Sequence, residues 1–522
     1  MKENKETNTY YLGDVQYAFL LGRNSEGSLR GVSCHILLET ECSALNTDKL
    51  VLAWDSLLRR HKALRACISE FGEITYIPDG GDIPSKVNIM HFEEYTYAEC
   101  ERKTAELRSN LESRLMDIES GELMGLTVCL LPNEKARMIF DFDCVGYDIT
   151  SFQIILRDLA YIYSGRELPH LPKNFEPYSG EYKRKYTAAE KASARIYWQE
   201  KVKLVGNMPA FPLSERLPND RKNTYSAHSR YISDEAYRGI KEFAQREKYR
   251  IEDVLLALYV ETLSRETGDC RFLLNIPLMD RSHLNSDAAE AVMDNTEIMI
   301  FDADISSAYS FNDIAAKLRA DLAKDTEHIA FSGIKVLKLL NADGKDVTTT
   351  FSLHISADLS DEVFRRCFGD IKYIVSQTPQ VTMDSIFFSI EGKLLFMLTT
   401  PDGWFKDNTE ENILDGFEKA AKALLNNDDK GRNNMLSKST ISENIKKLYA
   451  QILDKDGEID ESRTFMQLGG NSILMSKLQY EILKAYGVKV SFKELFRNGR
   501  ADEVSDLIYN KLNEINEGKA NE

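Results

Sequence analysis

The chain has 522 residues, too many for one core, and its 43% hydrophobic and 29% charged content is that of a globular protein of roughly two to four domains. A formal net charge of −17 argues against nucleic acid or an anionic membrane as partner. No apolar run approaches a membrane span, the start at Met1 lacks a signal-peptide core, and the eight cysteines and eight histidines show no metal-ligand spacing. The expectation is a cytoplasmic protein with reduced thiols and no zinc site.

In chain order, strand-like and helix-like runs alternate over residues 1–425. Gly31 to Glu39 reads as a strand, and Leu50, Leu52, Ala53, Leu57 and Leu58 follow in a helical pattern. Arg137 to Asp143 alternates in the manner of a strand, and Ile149 to Tyr163 again carries a helical pattern. Between them lies Asp143-Cys-Val-Gly-Tyr-Asp148-Ile-Thr-Ser151. A sharp strand-to-helix turn there puts both carboxylates and the serine at a helix N-terminus, where unpaired N–H groups and the helix dipole favour anions. Spacing alone leaves open a plain N-cap at Asp148 with Asp143 incidental. Cys144 has no histidine nearby in sequence and is not read as a nucleophile. A charged stretch over 180–195 begins a second lobe, and Arg271 to Ile276 and Leu394 to Leu398 read as further strands. The pattern is mixed α/β.

A polar, asparagine-rich stretch over 428–440 reads as a linker. Beyond it Ile441, Ile445, Leu448 and Ile452 mark one buried helix face. Phe465-Met-Gln-Leu-Gly-Gly-Asn-Ser472 then makes a turn into an amphipathic helix with Leu474, Leu478 and Ile482 on one side, stopping at Gly487. Phe492 and Phe496 are expected to plug a small core, and Val504, Leu507 and Ile508 mark a last helix. Four short helices over 441–516 make a bundle, with 517–522 a frayed tail. Ser472 sits where its hydroxyl meets solvent; taken alone it is equally an N-cap.

With these flanking helices, residues 441–516 resemble a peptidyl or acyl carrier domain, whose LGGxS serine carries 4′-phosphopantetheine. Ser472 is the matching attachment site. Asp143-x4-Asp148-x2-Ser151 matches the DxxxxDxxS signature of heterocyclization domains from nonribosomal peptide synthetases, members of the condensation-domain superfamily. Other stretches agree in order. Asp14 to Arg23 resembles the opening TxxQxAYWxGR, Arg60 to Arg65 is similar to RHxxLR, and Asn275 to Arg281 stands in the place of LxLFNR. Ser376-Gln-Thr-Pro-Gln380-Val-Thr-Met-Asp384 resembles SQTPQVxLD. The resemblance covers most of residues 8–425. It implies an α/β, two-lobed, chloramphenicol-acetyltransferase-like condensation/cyclization fold, with an N-terminal lobe over 1–180, a C-terminal lobe over 181–427 and a four-helix-bundle carrier behind.

The activity implied is condensation of carrier-bound acyl and aminoacyl thioesters, followed by cyclodehydration of a Cys, Ser or Thr residue to a thiazoline or oxazoline. Asp384 takes the place of the family's acid/base carboxylate, with Gln380 of the same motif a further catalytic candidate. The hydroxyl of the family's VVFTS strand falls on Ser352 when Phe351 is aligned, with Thr350 as the alternative. Asp143, Asp148, Ser151 and Arg281 are expected to be architectural, with Asp148 salt-bridged to Arg281. Three departures stand out: Asp280 where the family favours asparagine, Met293-Asp-Asn-Thr296 in place of GDFT, and Val381-Thr-Met before Asp384. They leave open condensation without cyclization, or a non-catalytic carrier and docking scaffold. Expected partners are a separate adenylation enzyme, an upstream acyl or peptidyl carrier and a phosphopantetheinyl transferase.

Overall fold

A computed structural model describes residues 9–24, 29–172, 175–214, 224–279, 281–306, 308, 310–425, 438–454, 459–486 and 488–519. Asp280, Gly487 and the 428–437 part of the expected linker lie outside them. Seven strands come from the first part of the chain: β1 (Tyr10–Tyr11), β2 (His35–Ser43), β3 (Ala66–Ile68), β4 (Glu73–Tyr76), β5 (Val87–His91), β6 (Met124–Leu130) and β7 (Lys135–Asp143). Seven more follow: β8 (Tyr225–Tyr231), β9 (Arg271–Leu278), β10 (Glu297–Asp304), β11 (Ser352–Asp358), β12 (Asp370–Gln377), β13 (Asp384–Ile390) and β14 (Lys393–Pro401).

Two sheets dominate. One is ordered β12-β2-β7-β6-β5 and the other β11-β13-β14-β8. The first packs on helices Thr47–Arg60 and Ile149–Ser164 through a core that includes Trp54, Leu57, Phe140, Phe142 and Phe152. The second packs on Ile251–Thr267 and Thr409–Ala423 through Tyr259, Phe387, Phe396 and Phe417. Ile251–Thr267 is buried nearly all round, which explains why it carries no clean polar stripe.

The first strand expected from sequence starts at His35, not Gly31, and runs on to Ser43. The lobes also do not divide the chain at residue 180. β12 returns from the second half to pair antiparallel with β2, placing Gln377 opposite His35 and Ser376 opposite Ile36. The preceding helix Glu362–Phe368 buries Phe364 and Phe368 in the first core. The physical gain is a covered edge: without β12, β2 would present an unpaired row of N–H and C=O groups. The crossing also ties the Ser376 to Gln380 motif to both lobes.

The carrier bundle consists of Lys438–Ile452, Ser472–Tyr486, Phe492–Arg497 and Ala501–Lys519, closed over Ile445, Tyr449, Phe465, Leu478, Ile482 and Ile508. Three expectations are corrected. The first helix begins at Lys438, so residues 438–440 belong to it rather than to a linker. The last runs through Lys519, past the expected end at 516. Phe492 and Phe496 do not plug the core; they are 39% and 65% exposed, and Leu495 is buried instead. Ser491 caps that short helix in a reciprocal box with Glu494, which turns Leu495 inward and the two aromatics out. The bundle touches the large domain where Asn444 Nδ2 donates to the Gly268 carbonyl at 2.6 Å. Among the described residues no helix is long and apolar enough to cross a membrane.

Candidate active site

The strand-to-helix turn after β7 is a hub of paired charges. Asp148 N-caps the helix Ile149–Ser164, accepting from Ser151 N–H at 2.8 Å and from Asn295 N–H at 3.0 Å. Arg281 Nη2 lies 2.7 Å from both Asp148 Oδ1 and Ser151 Oγ, so the structure brings these three together. Arg281 Nη1 donates to the carbonyls of Ala289 and Ala291. Ser151 Oγ donates to the Met293 carbonyl at 2.6 Å and accepts the Met293 N–H at 2.9 Å. The segment that departs from GDFT is thus held by the turn's own serine.

Asp143, buried at the end of β7, pairs with Arg23. Burial pushes its carboxyl up, and the Arg23 guanidinium pulls it part of the way back. Arg23 also donates to the Met116 carbonyl. Sequence reading placed Asp143 and Arg23 in separate motifs and did not connect them. Beside Arg23, a Cβ on Gly22 would sit 2.7 Å from Pro379 Cβ, so glycine lets the first helix approach the Ser376 to Gln380 loop closely.

Asp384 opens β13 and is buried. Thr350 Oγ1 donates to its Oδ1 at 2.5 Å and Thr378 Oγ1 to its Oδ2 at 2.7 Å. No described cation pairs with it. Burial raises its pKa from the usual carboxylate value, and the two hydroxyls offset part of that rise. The Ser385 N–H donates to Thr350 Oγ1 at 3.1 Å, fixing the hydroxyl's direction. The Tyr259 hydroxyl in turn holds the Ser385 side chain at 2.6 Å and the Thr350 carbonyl at 3.2 Å.

Alignment on Phe351 favoured Ser352 as the hydroxyl beside Asp384; the structure gives that hydrogen bond to Thr350. β11 runs parallel to β13 with Ser352 opposite Ile386, so the offset of 34 residues sets Thr350, two positions earlier, opposite Asp384. Ser352 lies one step further along the same face. Gln380 does not reach Asp384 either. It is exposed, with a left-handed φ of 64°, and its N–H donates to the Leu29 carbonyl. Thr378 is the residue that sequence reading quoted without assigning.

Thr350, Ser352, Thr378, Asp384, Cys144 and Asp148 share the wall of a cavity of about 110 Å³ between the two sheets. A second cavity of about 250 Å³ adjoins it, with Phe19, Asn275, Ile298 and Thr378 lining both and Gln380 on the second. Cys34 also lines the first cavity; the neighbouring Cys144 thiol and burial push Cys34 well up, which disfavours a thiolate there.

Ser472 is the first residue of its helix and is exposed. It is not the cap. Asn471 Oδ1 accepts from the N–H groups of Ile473 and Leu474, both at 3.0 Å, and the Ser472 hydroxyl bonds no described residue. A Cβ on Gly470 would sit 2.4 Å from the Phe465 ring, so the turn packs flat under the serine. Ile473, 80% exposed, adds an apolar contact beside it. An open hydroxyl on an uncrowded helix start fits covalent attachment of a phosphopantetheine arm.

Comparison with known proteins agrees with this geometry. Residues 7–367 match the family described as "Condensation domain", and residues 443–508 match "Phosphopantetheine attachment site". Phenyloxazoline synthase MbtB of Mycolicibacterium paratuberculosis is 28% identical over 77% of this chain and 34% of its own length. Pyochelin synthetase PchE of Pseudomonas aeruginosa is 24% identical over 78% of this chain and 28% of its own length. The chain therefore spans about a third of the curated relatives it matches. The EpoB cyclization-docking bidomain from Sorangium cellulosum superimposes with a TM-score of 0.69 at 20% identity, covering 80% of this chain and 85% of that one. The chain belongs to the condensation-domain family and carries, behind that domain, a carrier domain whose prosthetic group is 4′-phosphopantetheine.

Proposed function

We propose that the large domain is a heterocyclization domain of a nonribosomal peptide synthetase, joining carrier-bound acyl and aminoacyl groups and then closing a Cys, Ser or Thr side chain into a thiazoline or oxazoline. The observation that carries this reading is Asp384, a buried carboxyl held by two hydroxyls in a cavity between the sheets, with no cation paired to it among the described residues. MbtB and PchE, a phenyloxazoline synthase and a pyochelin synthetase by name, support it.

The arm on Ser472, when attached, supplies the thiol that holds a reactant as its thioester. In the first stage the acceptor amine attacks the donor's carbonyl carbon. A C–N bond forms, the C–S bond breaks, and a thiol and the amide product result. Confining both reactants in the adjoining cavities supplies the proximity such a transfer needs. In the second stage the side-chain sulfur or oxygen adds to the new amide carbon, and Asp384 takes its proton. Asp384 returns that proton to the former carbonyl oxygen, which becomes a hydroxyl. The proton lost from nitrogen, relayed through Asp384, then reaches this hydroxyl as the C–O bond breaks, a C=N bond forms and one water leaves. A carboxyl with raised pKa serves in both directions near neutral pH. Thr350 orients Asp384 Oδ1, and Thr378 holds Oδ2.

Asp143, Asp148, Ser151 and Arg281 are architectural in this reading: the last three staple the turn to the 289–295 segment, and Asp143 ties the end of β7 to Arg23. The partners are a phosphopantetheinyl transferase, an upstream carrier and an adenylating enzyme that loads the amino acid.

The test is mass spectrometry of the species on Ser472 after the phosphopantetheinylated, aminoacylated protein meets a loaded donor carrier. A joined product lighter by one water supports heterocyclization. Joined product at full mass marks condensation alone, and no joined product marks a scaffold.

A further inference from the structure

The faces of β11 and β13 that wall the first cavity form three successive rungs. Thr350 faces Asp384, Ser352 faces Ile386, and His354 faces Phe388. At about 3.3 Å per residue, His354 stands about 13 Å along the strand from Thr350. It is thus beyond the reacting carbonyl but beside whatever extends from it. The His354 ring packs on Phe388, with centroids 5.4 Å apart and planes tilted by 32°. The second rung offers Ile386 and the third Phe388, and Ile149, Pro277 and Met279 line the same space.

The imidazole makes no hydrogen bond to any described residue, yet it faces the cavity. Burial lowers its pKa to about 4, so at neutral pH it is an uncharged ring with one donor and one acceptor nitrogen. Immediately after His354 the ladder breaks: four steps on β11, from His354 to Asp358, match one step on β13, from Phe388 to Ser389. Such an irregularity re-aims side chains and ends pairing beside functional sites. His354 is therefore the last rung in continuous register before the shift.

We infer that His354 is a specificity residue for the reaction proposed above: it hydrogen-bonds a hydroxyl or carbonyl borne, several bonds from the reacting carbonyl, by the chain condensed in this cavity. A neutral ring nitrogen with an unused bond in an apolar slot rejects an analogue that lacks the matching group, because desolvating the nitrogen then goes uncompensated. The chain it selects is narrow, since a cavity of about 110 Å³ is close to the size that holds one small ring.

The inference rests on the condensation reading, so its test has a turnover arm and a binding arm. Pantetheine thioesters of ω-hydroxyalkanoic acids of about four to ten carbons, each beside its deoxy counterpart, are offered to the full-length holoprotein. In the turnover arm at least one hydroxylated member is preferred by about 10-fold or more in kcat/KM. His354→Phe abolishes that preference while leaving the deoxy partner within about 2-fold, and His354→Asn retains part of it. In the binding arm, the ring-nitrogen signals of His354, assigned by their loss in His354→Asn, move with the hydroxylated thioester and not with the deoxy one. Equal loss of both substrates in His354→Phe, or no difference between the paired thioesters in either arm, overturns the inference. Selective movement of the His354 signals without turnover upholds the subsite and counts against the condensation reading alone.

Discussion

Two groups of buried carboxylates face the same interior, and they are built in opposite ways. Asp143 and Asp148 each meet a guanidinium, Arg23 and Arg281 respectively, and Asp148 also accepts two backbone N–H groups. Among the described residues Asp384 meets only the hydroxyls of Thr350 and Thr378. A carboxylate clamped to a guanidinium fixes geometry, and at Asp143 the Arg23 charge offsets part of the rise that burial imposes. A buried carboxyl without a cation gains and loses its proton at a pH closer to neutrality, and that is what ring closure requires. In the proposed function the DxxxxDxxS turn holds the frame, and proton transfer is assigned to the aspartate after the Pro379 loop.

The largest expected effect follows from removing that proton carrier. Asp384→Asn lowers the ring-closure rate by about 10²–10⁴-fold, the usual worth of a positioned acid/base group, while the linear condensation product still forms. Quantifying the two products by mass over time checks this; equal loss of both would give Asp384 a different role. On the other side of the comparison, Arg281→Met strands Asp148 and lowers unfolding free energy by about 3–5 kcal/mol, read from denaturant midpoints. A shift well under 1 kcal/mol would mean that Asp148 is sufficiently held by its N–H donors.

Two hydroxyl variants sharpen the contrast. Thr350→Val removes the donor to Asp384 Oδ1 and slows ring closure about 10-fold, whereas Ser352→Ala, one rung away, changes it by less than about 2-fold. Reversal of that order would restore Ser352 as the partner hydroxyl.

The smallest effect is on stability. The pKa of Asp384 is raised in the folded state, so its ionised form disfavours folding. Stability linked to this group is fully present below the unfolded carboxylate pKa and is lost as pH rises through the folded one. Asp384→Asn should accordingly melt slightly higher than the parent at neutral pH, with the gain shrinking as pH falls toward the ordinary carboxylate range. Thermal midpoints across pH, compared pairwise, read this directly; a variant that melts lower at neutral pH would show the ionised carboxylate to be stabilised in the fold.

Much of the site was legible as isolated motifs. The position of Asp384 and the open serine at 472 followed from a local pattern and its resemblance, and the Asp148–Arg281 contact, between residues 133 apart, from the resemblance alone. What the sequence withheld was distant pairing that no motif carries. Arg23 meets Asp143 across 120 residues, and nothing in either local pattern signals it. β12 joins the first sheet because β2 needs a partner on that edge, so a division of lobes by chain position had to fail. Ser352 was preferred over Thr350 because aligning one phenylalanine fixes a residue but not a register, and parallel pairing with β13 decides which hydroxyl meets Asp384. In the carrier, Phe492 and Phe496 looked like core because they are aromatic; the capping box at Ser491 turns them outward.

The most direct test is a titration of Asp384 itself, by carbon NMR of protein labelled at the aspartate carboxyl, with Asp384→Asn supplying the assignment. The account predicts a midpoint clearly above the ordinary aspartate value, moving higher still in Thr350→Val. A midpoint at or below that value would show a carboxylate permanently ionised in the folded protein, and the proton-carrying role would be lost with it.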